Sequence, residues 1–155
     1  GDVYKRQVQN TPLVSVDVLI INDGRYLVGK RNNKPAQGYY FVPGARVFKN
    51  EPIEAAVSRV LKSECNIVLD QGVNAKCFGV YEHYYPDNFS GESGSTQYFV
   101  MAHKLNISKE QSDNIITDSQ HNELLWLSEQ ELMDRDDVPQ YVKNYFINNP
   151  NNMIL

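Results

Sequence analysis

From Leu13 the chain reads LVSVDVLIIND, aliphatic and β-branched residues in partial alternation, and RYLVGKR follows the turn Asn22-Asp23-Gly24. Such runs fit a pleated, half-buried surface, and a polar Asp-Gly turn between two of them marks a β-hairpin. Whatever else this chain folds into, it must contain a sheet with this hairpin in it. Asp17 is the one acid inside the first run. A lone carboxylate is costly to bury, so it requires a partner or a ligand.

The rest of the chain supplies cover for that sheet. YYFVPG is a short aromatic strand ending at Pro43-Gly44, where the chain must bend, and a loop from Ala45 to Asn50 leads into a helix. Pro52 suits its first position, and Ile53, Val57, Val60 and Leu61 fall on one apolar face. AKCFGVYEHYY and STQYFVMAHKL read as two longer strands, separated by a Gly- and Ser-containing loop, Pro86 to Gly94, that has the make-up of a lid. ELLWL, Glu123 to Leu127, gives a further strand, and Ser128 to Glu131 has the S-x-x-E form of a capping box. Val138 to Ile147 reads as a closing helix with Val142, Tyr145 and Phe146 inward. Strands interleaved with helices and no internal repeat predict one mixed α/β layered domain, and 155 residues suffice for its core. The domain is placed at residues 11–148, with 1–10 as an N-terminal segment of added or trimmed origin and 149–155 as a frayed tail.

Charge and composition narrow the function. With 15 basic and 19 acidic residues the net charge is −4, so the basic excess that binds a phosphate backbone is missing and no nucleic-acid partner is expected. The longest aliphatic run, Val18 to Ile21, falls far short of the roughly 20 residues that span a bilayer. No membrane partner is expected. No charged-then-apolar leader is seen, and a cytoplasmic location follows as the expectation. Cys65 and Cys77 lack metal-site spacing and read as reduced thiols.

The stretch from Gly44 to Ile67, GARVFKNEPIEAAVSRVLKSECNI, joins a glycine turn, basic residues and a helix with ionisable side chains. It resembles the Nudix box: glycine, five residues, Glu, seven residues, then Arg-Glu-aliphatic-x-Glu-Glu-x-Gly-aliphatic. The matching positions are Ala45, Glu51, Arg59, Val60, Leu61, Ser63, Glu64, Asn66 and Ile67. Glu51, Arg59 and Glu64 are kept, two helix carboxylates are replaced by Val60 and Ser63, and two glycines by Ala45 and Asn66. Attack at phosphorus in a fully charged diphosphate calls for several carboxylates to hold two or three Mg²⁺ ions. This helix offers few, which favours attack elsewhere or no chemistry at all.

Further segments resemble the GDP-mannose mannosyl hydrolases, a branch of the Nudix superfamily. They are TPLVSVD, LVGKR, PAQGYYFVPGARV, HYYPDNFSG, and Gln120-His121 ahead of Trp126-Leu127. The branch shares the loss of the two carboxylates. The resemblance implies a Nudix-type α/β/α sandwich with a mixed sheet, a homodimer, and hydrolysis of a GDP-sugar to GDP and free hexose by water attack at the anomeric carbon, with inversion. GDP-mannose is the implied substrate and GDP-glucose the alternative. The implied ligands of Mg²⁺, with Mn²⁺ as the alternative, are the Gly44 carbonyl, the Glu64 carboxylate and the Gln120 side-chain carbonyl. His121 would be the general base, Arg31 and Arg46 would neutralise the departing diphosphate, and Tyr98 would lie beside it. Asp17 and His83 would face the hexose.

Arg59 reads as structural, orienting Glu51 or loop carbonyls, and His103 likewise as structural. Ala45 would strain the backbone if a positive φ were needed there, whereas Asn enters the left-handed region readily, so Asn66 is tolerable. Two rivals remain: a Nudix pyrophosphatase attacking phosphorus, disfavoured by Val60 and Ser63, and a nucleotide-sugar sensor without turnover, disfavoured by Glu64, Gln120 and His121.

Overall fold

The computed structural model describes residues 2–32, 36–69, 75–86, 94–115 and 123–147. Its elements are α1 (Asp2–Asn10), β1 (Leu13–Asn22), β2 (Arg25–Lys30), β3 (Tyr40–Phe41), β4 (Gly44–Arg46), α2 (Ile53–Cys65), β5 (Lys76–Tyr85), β6 (Thr96–Asn106), α3 (Lys109–Asp113), β7 (Leu124–Ser128), α4 (Glu129–Asp134) and α5 (Gln140–Lys143), closed by a 3₁₀ turn, Asn144–Phe146. The strands make one mixed sheet in the order β3-β2-β1-β6-β5, with β4 on β1 and β7 on β2. β1 runs parallel to β6 and antiparallel to β2 and β4. Helices cover both faces, which is the α/β/α sandwich of Nudix proteins.

The hairpin forms as its turn chemistry requires. Asp23 and Gly24 both have positive φ, 51° and 71°, the combination demanded by a two-residue loop whose twist matches its strands. Because side chains alternate along a strand, β1 feeds two cores. Val16, Val18 and Ile20 pack with Val57, Val60 and Leu61 of α2 on one face, and Leu19 packs with Leu132, Val142 and Tyr145 on the other. Asp17 shares the second face.

Several expected boundaries shift for physical reasons. Pro52 is the N-cap rather than the first helical residue: its backbone is extended and its carbonyl accepts from Ala55 and Ala56. Ile53 is 40% exposed, since the buried face of α2 begins one turn later at Ala56 and Val57. The expected loop from Ala45 starts as strand β4, whose Ala45 pairs with Val16. Val138 precedes Pro139 and is therefore driven out of the helical region, so the closing helix starts at Gln140 and tightens to a 3₁₀ turn after Lys143. Val142 and Tyr145 do point inward, while Phe146 is half-buried. The Ser128–Glu131 capping box forms with both reciprocal bonds.

Two helices lie outside the sequence expectation. α3 is opened by a second capping box, Ser108 with Gln111. α1 buries none of its residues. The lid loop, apart from its ends Pro86 and Gly94, and the tail lie outside the described residues. No described helix is long and apolar enough to cross a membrane.

Candidate active site

Strand register gathers the site. Side chains directly opposite one another on neighbouring strands share a face. Ser15 lies opposite Arg46 and Asp17 opposite Gly44 across β1 and β4, Ser15 lies opposite Val100 across β1 and β6, and Tyr98 lies opposite His83 across β6 and β5. These pairs therefore line one floor. The cleft above them has a volume of about 190 Å³ and is bordered by Asp17, Arg31, Gly44, Arg46, His83 and Tyr98 together with Tyr85. A second cleft of about 260 Å³ adjoins it, sharing Arg31, Phe41, Val42 and Gly44 and adding Lys30, Asn32 and Glu64. Seven of the nine expected site residues thus meet around Gly44. The other two, Gln120 and His121, lie outside the described residues, a few positions ahead of β7.

Gly44 is where the two clefts join. Val18 N–H donates to the Pro43 carbonyl and Val47 N–H to the Val14 carbonyl. Every second pair between β1 and β4 is therefore hydrogen-bonded, and the intervening pair, Asp17 with Gly44, is not, so the Gly44 N–H and C=O are turned away from β1. The N–H faces the Glu64 carboxylate and helps to hold its pKa down. On the opposite side there is no room for a side chain: a Cβ at residue 44 would stand 2.1 Å from Asp17 Oδ1 and 2.7 Å from the Val16 carbonyl oxygen. Glycine is needed here for close approach, not for an unusual φ.

Both carboxylates at this junction are pushed far from their ordinary range. Burial raises Asp17 to about 7, against the opposing pull of the Tyr145 hydrogen bond and the Arg31 charge. Glu64 is also raised to about 7, first by burial of its carboxylate and then by the charge of Asp17, with the Gly44 N–H, Arg31 and Arg59 opposing. As a residue Glu64 still has an exposed surface. Its carboxylate therefore sits at the floor of an open cleft, dehydrated from the protein side. A dehydrated carboxylate beside a carbonyl freed from the sheet is a hard-oxygen donor set that suits Mg²⁺ or Mn²⁺. Among the described residues no group of three or more His, Cys, Asp or Glu is placed to hold a metal. A cation at this edge must complete its shell from amide or carbonyl oxygen, substrate and water.

Asp17 meets its partner in Tyr145, whose hydroxyl donates to Oδ2 at 2.5 Å. Nothing in the spacing of the sequence pointed to that tyrosine, which reads as core. His83 is 4% exposed, stacks on Tyr141 at 4.4 Å between ring centroids, and is lowered to about 4 by burial, so the imidazole is neutral. The Arg31 guanidinium lies 5.8 Å from the Phe41 ring centroid. Arg46 donates to Gln7 Oε1 at 3.0 Å and stacks on Tyr4 at 4.9 Å. Tyr98, near Tyr4, has its hydroxyl raised to about 12, chiefly by burial. Helix α1 therefore caps the Arg46 side of the cleft.

The loop beneath the site is braced by Arg59. It forms two bonds of 2.9 Å with Glu51 and donates to the Arg46 carbonyl at 2.7 Å, while Glu51 also accepts from Phe48 N–H. That is the structural part expected of it. Ala45 has no positive φ, so replacing glycine there costs no backbone strain, whereas Asn66 caps α2 at φ 55°.

The comparisons with known proteins agree with this architecture. A family model described as NUDIX domain matches residues 11–146. Over 123 residues, 79% of this chain and 75% of the relative, the chain is 37% identical to the low-salt glycan biosynthesis protein Agl8 of Haloferax volcanii. Over 67 residues, 43% of this chain and 40% of the relative, it is 36% identical to an ADP-ribose pyrophosphatase of Methanocaldococcus jannaschii. The fold is similar to that of a MutT NUDIX hydrolase from Burkholderia pseudomallei, with a TM-score of 0.67 at 23% identity over 87% of this chain and 95% of the other. It is similar as well to the MutT protein from Methanosarcina mazei Go1, with a TM-score of 0.68 at 19% identity over 88% and 92%.

Proposed function

The chain belongs to the Nudix hydrolase family, and on that premise we propose that it hydrolyses a GDP-hexose, GDP-mannose or GDP-glucose, to GDP and the free sugar by water attack at the anomeric carbon with inversion. The observation that carries this reading is the pair of clefts joined at Gly44. One presents a carboxylate and a neutral imidazole, Asp17 and His83, suited to sugar hydroxyls, with Arg31, Arg46 and Tyr98 on its walls for the adjoining end of the diphosphate. The other offers Glu64 with Lys30 and Arg31, suited to a diphosphate and its cation. The similarity to a relative named for glycan biosynthesis agrees with a nucleotide sugar as substrate.

In this reading Glu64, the Gly44 carbonyl and Gln120 hold Mg²⁺, or Mn²⁺ in its place. When bound, the ion neutralises charge on the departing GDP. Val60 is fully buried in the α2 core and Ser63 carries no charge, so the last turns of α2 contribute Glu64 as their one carboxylate. That supply suits help to a leaving group better than activation of water at phosphorus. Arg31 and Arg46 neutralise the diphosphate as the bond to the sugar breaks, the moment when negative charge accumulates. Tyr98 adds a donor there. Asp17 and His83 hold hexose hydroxyls, and His121 takes the proton from water as the general base.

Turnover of GDP-mannose with Mg²⁺ in ¹⁸O-labelled water tests the reading. Label in free mannose supports it, label in GMP or mannose phosphate indicates a pyrophosphatase, and saturable binding without products indicates a sensor. His121→Ala is expected to lower kcat by roughly 10² to 10⁴ while Mg²⁺ affinity, read by calorimetry, stays put. The resemblance also carries a homodimer into the proposal, which sedimentation equilibrium checks.

A further inference from the structure

Tyr145 is 5% exposed and its ring is fixed edge-on by Tyr81 and Phe78, at centroid distances of 4.7 Å and 6.1 Å. A ring held in this way aims its hydroxyl in one direction. That hydroxyl lies 2.5 Å from Asp17 Oδ2 and 3.4 Å from His83 Nε2. It has a single proton, which it donates in the hydrogen bond to Asp17 Oδ2. The phenolic oxygen is then left to accept from His83, which assigns the imidazole proton to Nε2. Asp17 Oδ1 remains, lying against Gly44 at the junction of the two clefts that Asp17 and Gly44 help to line.

We propose that Tyr145 is a positioning residue that fixes Asp17 with Oδ1 at the Gly44 junction and, through Asp17 and His83, sets which hexose is accepted. The inference rests on the reading of this cleft as a nucleotide-sugar site and names the residue that gives it selectivity. Epimeric hexoses differ in the direction of a single hydroxyl. A carboxylate locked by one oxygen offers its other oxygen to only one of those directions, whereas a carboxylate free to rotate serves both. Tyr145 comes from the 3₁₀ turn that closes the described chain, so the far end of the sequence tunes a strand at its beginning.

Tyr145→Phe keeps the contacts with Tyr81 and Phe78 and removes only the hydroxyl. The ratio of kcat/KM for GDP-mannose to that for GDP-glucose is expected to move toward one by roughly ten-fold or more, the usual effect of losing a hydrogen bond to a charged group. Asp17→Asn should shift the ratio similarly, and the double variant should be no worse than Asp17→Asn alone, because Tyr145 acts through Asp17. Tyr145→4-aminophenylalanine, which restores a donor at the same place, should restore the ratio and serves as the decisive variant if Tyr145→Phe does not fold. An unchanged ratio in Tyr145→Phe, or losses that multiply in the double variant, would overturn the inference. If the wild-type protein released hexose from neither sugar, the functional reading would fall, and crystal structures would still decide the role of Tyr145. An Asp17 carboxylate that rotates in Tyr145→Phe upholds the positioning, and one that stays in place refutes it.

Discussion

At the Asp17 end of the cleft the side chains are held by the core, and at the Arg46 end they are held by a surface helix. Asp17 is gripped by Tyr145, and His83 is sandwiched against Tyr141, all on a buried sheet face. Arg46 is gripped by Gln7 and Tyr4 of α1, a helix with no buried residue. The first arrangement holds a carboxylate and a neutral imidazole in set positions at the cost of dehydrating them. The second holds a cation with contacts that are individually weak, so releasing it costs little. Rigidity belongs to one end, and adjustable charge to the other.

Gly44→Ala breaks the comparison at its root, because the new Cβ would collide with Asp17 on one side and disturb the Glu64 edge on the other. Turnover is expected to fall by about 10²-fold or more, the scale of an ångström-sized misplacement, with a lower melting temperature in the same sample. Activity at wild-type level would show that the two ends do not depend on their junction.

Asp17→Asn sharpens it. In the metal-free protein Asp17 titrates near 7, against 3.8 as its ordinary value. Between those values the folded chain keeps a proton that the unfolded chain has released, so this group lowers stability as pH rises from about 4 to 7. Glu64 acts with the same sign. The Asn variant should therefore match wild type near pH 4 and exceed it at pH 8, by up to about 4 kcal/mol, while its turnover falls. Equal denaturant midpoints at both pH values would mean that Asp17 is not paying a burial cost for function.

His83 has the opposite sign. Its folded value is about 4 against 6.5, so the unfolded chain holds the extra proton, and stability is lost as pH falls from about 6.5 to 4. Linkage sets the loss at roughly 3 kcal/mol. Denaturation of His83→Gln should show a flatter acid limb than wild type, and parallel limbs would count against a buried neutral imidazole.

The smallest effect belongs to the exposed end. Gln7→Ala frees one bond to Arg46 and should change stability by less than about 0.5 kcal/mol, with kcat/KM within about three-fold of wild type. A larger fall would make α1 part of the rigid frame.

The sequence made some of these parts legible and hid others for identifiable reasons. The hairpin was readable because Asp23 and Gly24 supply the positive φ its turn requires, and α2 because Val57, Val60 and Leu61 repeat at helical spacing on a buried face. Helix α1 was not, since it buries nothing and its contacts are to distant Arg46 and Tyr98. β4 is three half-buried residues and leaves no periodic trace. The meeting of Asp17 with Gly44 depends on antiparallel register, and the meeting of Asp17 with Tyr145 spans 128 positions. Local pattern carries neither. The resemblance named most residues around the cleft, but the tyrosine that orients Asp17 emerged only from packing.

The parallel pairing of β1 with β6 also has a consequence for how the protein is born. Leu13 is matched to Tyr98 and Ile21 to Asn106, so each residue of the central strand waits for a partner 85 positions later. During synthesis the β1–β2 hairpin emerges with one long flank open and must pass through that state until Asn106 has cleared the ribosome. Long-range pairing of this kind is slow, and an open apolar strand edge invites association with other chains. The nascent chain is therefore most exposed to aggregation until β6 has been made.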